Sequence, residues 1–583
     1  MPLRPSLFVG RRKNLHGRLS QVKRCRSIDT GPIPNRDYCL LTLLKPLPRR
    51  ITGPLSLVVL VAWVAVMAIL VNRAYIQAAP ANLATDLARY GPTAVWRGVY
   101  YRGEKIGFTV SQTLRTDQGF ELQEDGRLQM LLFGQDSAAT LRTSATVDEQ
   151  FALKSFDFSL DPGTGAIKVS GTIEPPSSPG APHLLLISIT STSGTRTERR
   201  ELAEAPMMSL NLSRVLASRG LTPGARHQWT IFDPATLRNA PVEVRIGRRE
   251  VVRMSDSVVP AFRVEMTFQG LQTTSWVTDT GDVIKEESPL GLMTVRETAE
   301  RAQGMAIPGR VQTDLLRMSA VVPTTNVRID EPRDVRRIRM SVEGLDLANA
   351  ELSGVGQTVE NGVIEIRSTQ SLGPGAADPD VSQFLKPEPF IESDAPEILA
   401  EAELAVRGVQ GSRARAEQLT RYVNALLDKK PTVSLPSARE VLRTKVGDCN
   451  EDTALYVAMA RSIGIPARIA VGLVYVRGVT GAFYYHAWPE VYVDEGNGRG
   501  LWLPVDPTFN QFPADATHLR LARGGLDKQA AILPLIGRLK LTVLDLELAP
   551  DANPILVGRD TALAPLPVDV ASPRPGACRC DGQ

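Results

Sequence analysis

The 583-residue sequence predicts an α+β protein in which antiparallel β-rich regions come first and a mixed helix–strand region comes last, behind one apolar helix near the start. Three observations carry this. Short apolar-alternating runs separated by turn residues dominate positions 91–304, a helical period of three and four takes over after 396, and Ile51 to Val71 is uncharged throughout. The length exceeds what one hydrophobic core organises, so several domains are expected.

Residues 1–50 hold twelve Lys or Arg against Asp29 and Asp37, a balance of +10, whereas the remainder carries 55 basic and 61 acidic side chains, or −6. That sign makes the folded part a poor surface for phosphate, so no nucleic-acid partner is expected. The basic stretch has no sustained period and is read as a cytoplasmic tail. The 21 uncharged residues 51–71 are long enough to cross a hydrocarbon layer of about 30 Å as a helix. With the basic flank before it, the positive-inside rule directs everything after about Asn72 out of the cytoplasm. Small residues at Ala78-Ala79 leave a cleaved signal peptide as the alternative, but the apolar stretch is longer than such peptides use.

In the β-rich domain 91–304, strands are expected at Val95 to Tyr101, Leu184 to Ile189, Pro241 to Ile246, and on either side of the turn Asp279-Thr280-Gly281-Asp282. Together they suggest an antiparallel sheet or open barrel with one helix near Ser209 to Arg219. A small β-rich segment follows at 305–375, with strands at Arg336 to Val342 and Gly362 to Ser368, and a Gly/Pro/Asp-rich linker closes it at Gly373 to Asp380. A last domain is expected over 383–550, opening with helices at Pro396 to Gly408 and Arg413 to Leu427, and a flexible tail over 551–583.

Of five cysteines, Cys25 and Cys39 fall in the basic tail and Cys578 and Cys580 in the C-terminal tail. Cys449 stands alone in the interior of the exported part, and a lone thiol in an oxidising compartment is a candidate for chemistry. It follows Asp448, a good helix N-cap, and Glu451 is placed to return a carboxylate to the cap amide, while Gly464 and Pro466 end the helix. Cys449 then occupies the first helical turn, where unpaired amides favour a thiolate. A buried inert cysteine is the bland alternative, and the polar neighbours Asn450 and Asp452 speak against it.

Three strands are expected next, Ala467 to Val476, Phe483 to Val493 and Leu501 to Val505, the last two joined by a Gly-rich turn. A hairpin centred on Gly496 would set His486 directly opposite Asp506, within reach of an imidazole–carboxylate hydrogen bond. The three residues have complementary tasks: Cys449 as nucleophile, His486 as proton carrier, Asp506 as the group that orients the imidazole. Trp488 and Trp502 read either as cleft walls or as core.

The series Gly447-Asp448-Cys449, Gly464-Ile465-Pro466-Ala467-Arg468, His486-Ala487-Trp488-Pro489-Glu490-Val491, Trp502 and Val505-Asp506-Pro507-Thr508 resembles the transglutaminase-like superfamily. The resemblance runs from about Gln383 to Phe512 and, more thinly, into Gly103 to Gly107 and Trp276 to Ile284. It implies a papain-like α+β core with catalytic Cys449, His486 and Asp506 and, as in bacterial members, an anchor in the inner membrane with the enzyme outside the cytoplasm. Separately, five scattered histidines and five scattered cysteines build no zinc site, so no cofactor or metal is expected. One departure is visible: no tryptophan lies between Trp276 and Trp488 to stabilise an oxyanion as in the animal enzymes. The expected activity is attack on peptide or protein amides through a thioester, with water or an amine as acceptor. A membrane-tethered, non-catalytic peptide-binding scaffold is the alternative.

Overall fold

The structure, a computed structural model, describes residues 90–556 apart from short stretches, chiefly 305–313, 315–319, 346–351 and 478–480. The expected basic tail, the membrane helix 51–71 and the tail beyond 556 lie outside the described residues. Among the described residues no helix is long and apolar enough to cross a membrane.

Fourteen antiparallel strands between Val95 and Glu297 form one continuous sheet. The first, Val95–Tyr101, lies in its interior, paired on one side with Glu104–Thr116 and on the other with the last, Leu292–Glu297. Hairpins lead outward to one edge at Gly194–Leu202, and the chain returns inward from the other edge at Arg226–Asp233. The helix Ser209–Arg219 links the two edges. Alternation sets the buried face: Ala240, Val242, Val244 and Ile246 of Arg238–Arg253 are buried while the residues between them are exposed. Val95, Phe158 and Met266, from distant strands, and Met208, which precedes the helix, line one cavity of about 390 Å³, so the sheet curves round it. The antiparallel arrangement expected for 91–304 is present, and the turn 278–282 falls between two of its strands.

The small β segment is a four-stranded sheet in the order Gln357–Glu360, Val363–Arg367, Val335–Glu343, Lys540–Leu548. Its last strand comes from beyond the helices and pairs through Ile338↔Leu546. Two expected boundaries are thereby corrected. The segment 305–375 shares one core with the last domain, in which Ile338, Met340 and Ile364 are continuous with Ala454, Leu455 and Met459. Within the tail expected from 551, Ile555–Leu556 is a short strand paired with Val327–Arg328.

The last domain packs helices Pro396–Ala405, Ser412–Leu426, Ala438–Thr444 and Cys449–Ser462 beside a five-stranded antiparallel sheet. The sheet order is Gly375–Ala376, Arg499–Pro504, Ala482–Gly496, Ala467–Val476, His518–Arg523. The expected linker 373–380 thus supplies an edge strand. Every residue from Ala454 to Ala460 is completely buried, which is what an all-round apolar helix requires. The β domain touches this layer through a hairpin tip, where the hydroxyls of Thr192 and Ser193 donate to the Glu440 carboxylate at 2.6 and 3.0 Å.

Candidate active site

The helix Cys449–Ser462 starts with the expected reciprocal cap. Asp448 Oδ1 accepts from the Asn450 N–H at 3.0 Å, and Glu451 Oε2 accepts from the Asp448 N–H at 2.9 Å. Glycine is needed at 447 because a Cβ there would lie 2.3 Å from the Cβ of Glu451. Cys449 therefore sits in the first turn, partly exposed, and its sulfur accepts the backbone N–H of Ala487.

The electrostatics differ from the expected stabilised thiolate. Burial pushes the Cys449 thiol well above its usual range, and the carboxylates of Asp448, Glu451 and Asp452 add to the rise. The Ala487 N–H acts in the opposite direction and does not outweigh them. Burial and these carboxylates thus favour the thiol over the thiolate.

His486 and Asp506 do meet, with Nε2 to Oδ2 at 2.8 Å and both side chains buried. The route differs from the expected one. Pairs such as Glu490↔Pro504 and Tyr492↔Trp502 centre the hairpin on position 497 rather than Gly496, with a bulge between Asp494 and Gly496, and the ladder stops at Pro504. Asp506 instead opens a tight loop, exchanging backbone hydrogen bonds with Gln511 at 2.9 and 2.8 Å. That loop is held by its neighbours. Asn424 Nδ2 donates to the carbonyls of Pro507 and Thr508, and Thr508 Oγ1 donates to Asp452 Oδ2 at 2.6 Å. Asp506 takes Nε2 of His486, which leaves Nδ1 as the ring's other nitrogen.

Several residues at the site carry no sequence motif of their own. His518, at the start of its strand, places Nε2 3.0 Å from the same Asp506 Oδ2 and Nδ1 3.1 Å from the Asp515 carbonyl. Asp506 Oδ1 also accepts the Phe509 N–H at 2.9 Å. Burial alone would raise the Asp506 carboxyl, but His486 and His518 together hold it far below the carboxylate range. Phe509, 38% exposed, brings its ring to 5.1 Å from His486 and is the apolar surface presented beside the imidazole.

Trp488 is buried, stacked 6.0 Å from His486 and edge-on 5.2 Å from His518. Trp502 is also buried, donating to Asp378 Oδ2 at 3.0 Å beneath the Arg468 guanidinium. Both are core residues rather than open cleft walls. Glu490 lies under the site, bound by Arg468, Arg520 and Arg523 at 2.8, 2.7 and 3.0 Å. Burial would raise its carboxyl, yet the three guanidiniums hold it at about 2.

His486, Asp506 and His518 bring three ligand-type atoms within 4.8 Å of one another. These atoms are already joined as N–H donors and carboxylate acceptor, and His518 also faces an acceptor at its second nitrogen. A cation would have to displace both Nε2 protons, so the donor set fits a hydrogen-bonded array better than a metal site.

Residues 402–507, which hold Cys449, His486 and Asp506, match the model of the transglutaminase-like superfamily. This region is a transglutaminase-like domain. No curated protein is significantly similar to the chain. A β-barrel-like protein of a domain of unknown function from Brucella abortus aligns at 13% identity over 35% of this chain and 96% of its own, with a TM-score of 0.27. A candidate cysteine protease from Cytophaga hutchinsonii aligns at 16% identity over 43% and 91%, with a TM-score of 0.23. A candidate protease from Parabacteroides distasonis aligns at 11% over 60% and 69%, with a TM-score of 0.17. The transglutaminase-like match ends at 507, so His518 lies beyond it.

Proposed function

We propose that the chain is a cysteine enzyme that cleaves peptide or protein amides through a thioester, held at the membrane by residues 51–71 with its transglutaminase-like domain outside the cytoplasm. The observation that carries the chemistry is the 2.8 Å bond between His486 Nε2 and Asp506, with the Cys449 sulfur seated on the amide of the next residue, Ala487. The uncharged run Ile51 to Val71 behind a +10 flank supports the anchor.

The neutral thiol sets the order of events. As the sulfur bonds to the amide carbon, its proton passes to His486 Nδ1, and Asp506 supports the imidazolium that forms. The C–N bond then breaks while His486 returns the proton to the leaving amine. Water or an amine attacks the thioester, giving its proton to His486, which restores the thiol as the sulfur leaves. The N–H of Cys449 at the helix start can donate to the oxyanion.

A non-catalytic scaffold is the second reading, favoured by the burial and three carboxylates that disfavour the thiolate. Alkylation of Cys449 by iodoacetamide in the full-length, detergent-solubilised protein, resolved by peptide mass spectrometry, separates the two. The catalytic reading expects a rate that falls at least about tenfold in His486→Ala; a rate indifferent to His486 would sink it. Product analysis with and without a primary amine then separates hydrolysis from transfer.

A further inference from the structure

The His518 ring is buried, and each of its nitrogens faces an acceptor: Nε2 faces Asp506 Oδ2 at 3.0 Å, and Nδ1 faces the carbonyl and Oδ1 of Asp515 at 3.1 and 3.3 Å. A neutral imidazole carries one N–H and can satisfy one of the two sides. Only the imidazolium satisfies both. Asp515 is fixed in turn, its N–H bonded to Gln511 Oε1 and its Oδ1 to Thr517.

Asp506 therefore faces two rings, which lie 5.8 Å apart with Trp488 packed against both. One ring is the proposed base, and the other is a fixed cation. We propose that His518 is a positioning residue of the proposed active site, an imidazolium that clamps the Asp506 carboxylate through the same Oδ2 that His486 uses and offsets its charge. This rests on the catalytic reading above. It assigns a role to a residue outside the matched family region and explains two features together. The carboxylate cannot rotate away from His486, because both oxygens are held by further donors, His518 and the Phe509 N–H. Its negative charge is shared, so it does not by itself drive the Cys449–His486 pair into a thiolate–imidazolium state. The neutral resting thiol is the expected companion of such an arrangement.

Asp506, Asp515 and the His486 ring face His518 directly. Arg520 and Arg367 line a small cavity beside it, Arg520 being committed to Glu490 and Arg367 to Glu365, and Asp452 acts on Asp506 from the helix. Against burial, which would lower it, the hydrogen bonds to Asp506 and Asp515 hold the His518 imidazolium up to about 10. Across neutral pH it is a constant charge rather than a switch.

The test is the pH profile of Cys449 alkylation in the full-length protein. His518→Gln keeps a donor but removes the charge, so the unbalanced Asp506 should favour the ion pair. Alkylation near pH 6 should then rise about tenfold, the effect of one pKa unit. His518→Phe removes donor and charge together, and its rate should fall toward that of His486→Ala. A profile for His518→Gln that matches or merely falls below the unsubstituted protein, where the latter still depends on His486, would overturn the positioning role alone. Independence from His486 would overturn the catalytic reading and this role with it. Circular dichroism checks folding. Should the variants not fold, ¹⁵N spectra of the five histidines in the unsubstituted protein decide, because a His518 with one protonated ring nitrogen near pH 8 refutes the clamp.

Discussion

Thr508 Oγ1 donates to Asp452 Oδ2 at 2.6 Å, and this bond ties the loop that carries Asp506 to the helix that carries Cys449. Asp452 is fully buried, and its other oxygen takes Lys429 Nζ at 2.7 Å. The two halves of the proposed active site are thus coupled through one carboxylate. Thr508→Val keeps the shape and deletes a hydrogen bond to a charged acceptor, so a stability loss of about 1.5–3 kcal/mol is expected. Urea unfolding checks it. The alkylation rate of Cys449 should fall as well, because the Asp506 loop loses its tether to the helix. A variant as stable and reactive as the unsubstituted protein would show that the donors Asn424, Arg421 and Arg333 hold the loop without Thr508.

Asp452 also sets a pH dependence. Burial, only partly countered by Lys429 and Thr508, raises its carboxyl to about 6. Between about pH 4 and 6 the folded protein holds a proton that the unfolded chain has released, so stability falls as pH rises through that window. The contribution is fully present below the unfolded value and gone above about 6. Its size is on the order of 1–3 kcal/mol. Melting temperatures from pH 3.5 to 7 should show this step in the native sequence and not in Asp452→Asn. A step that persists in the variant would assign it to another group.

Glu490 has the opposite sign. Its carboxyl is depressed to about 2, so its stabilisation is complete above the unfolded value near 4.5 and is lost as pH falls toward 2. Glu490→Gln leaves Arg468, Arg520 and Arg523 facing a neutral amide, and a loss of about 3–5 kcal/mol is expected from breaking a buried ionic cluster. Denaturant titration at neutral pH measures it, and the difference between the two proteins should shrink at low pH. A loss below about 1 kcal/mol would mean that the arginines are compensated elsewhere.

The same residues explain what was legible in the sequence. Asp448 and Glu451 announce the helix start because capping is local, involving atoms three positions apart. A hairpin centred on Gly496 sets His486 opposite Asp506 by a register that the structure does not have, because the ladder is centred on position 497 and ends at Pro504. The two meet through the loop that Asp506 opens with Gln511, a tertiary feature that strand alternation does not reach. His518 was invisible for a different reason. Its strand His518–Arg523 reads as charged, and its charges are neutralised by Glu490, Asp506 and Asp515, contacts that only the tertiary fold brings together. Lys540–Leu548 was likewise hidden, since its partner Val335–Glu343 lies across the whole transglutaminase-like domain.

Tyr485 gives the last prediction. Its side chain lies beside the site, one residue before His486, and its hydroxyl is buried without a hydrogen-bond partner among the described residues. Leaving a hydroxyl so placed costs roughly 1–3 kcal/mol, and Tyr485→Phe removes that cost with almost no change of shape. The variant should therefore be as stable as the native sequence or up to about 1 kcal/mol more so. Burial, with the sulfur of Cys449 and the carboxylate of Asp448 nearby, raises the phenol well above its usual range, so it stays protonated and remains a donor. A donor held unpaired next to the nucleophile is suited to charge that develops only during reaction, and removing such a donor commonly costs about a hundredfold in turnover. The expected outcome is a variant that melts no earlier and turns over amides far more slowly. A lower melting temperature with unchanged turnover would reverse both halves of the argument.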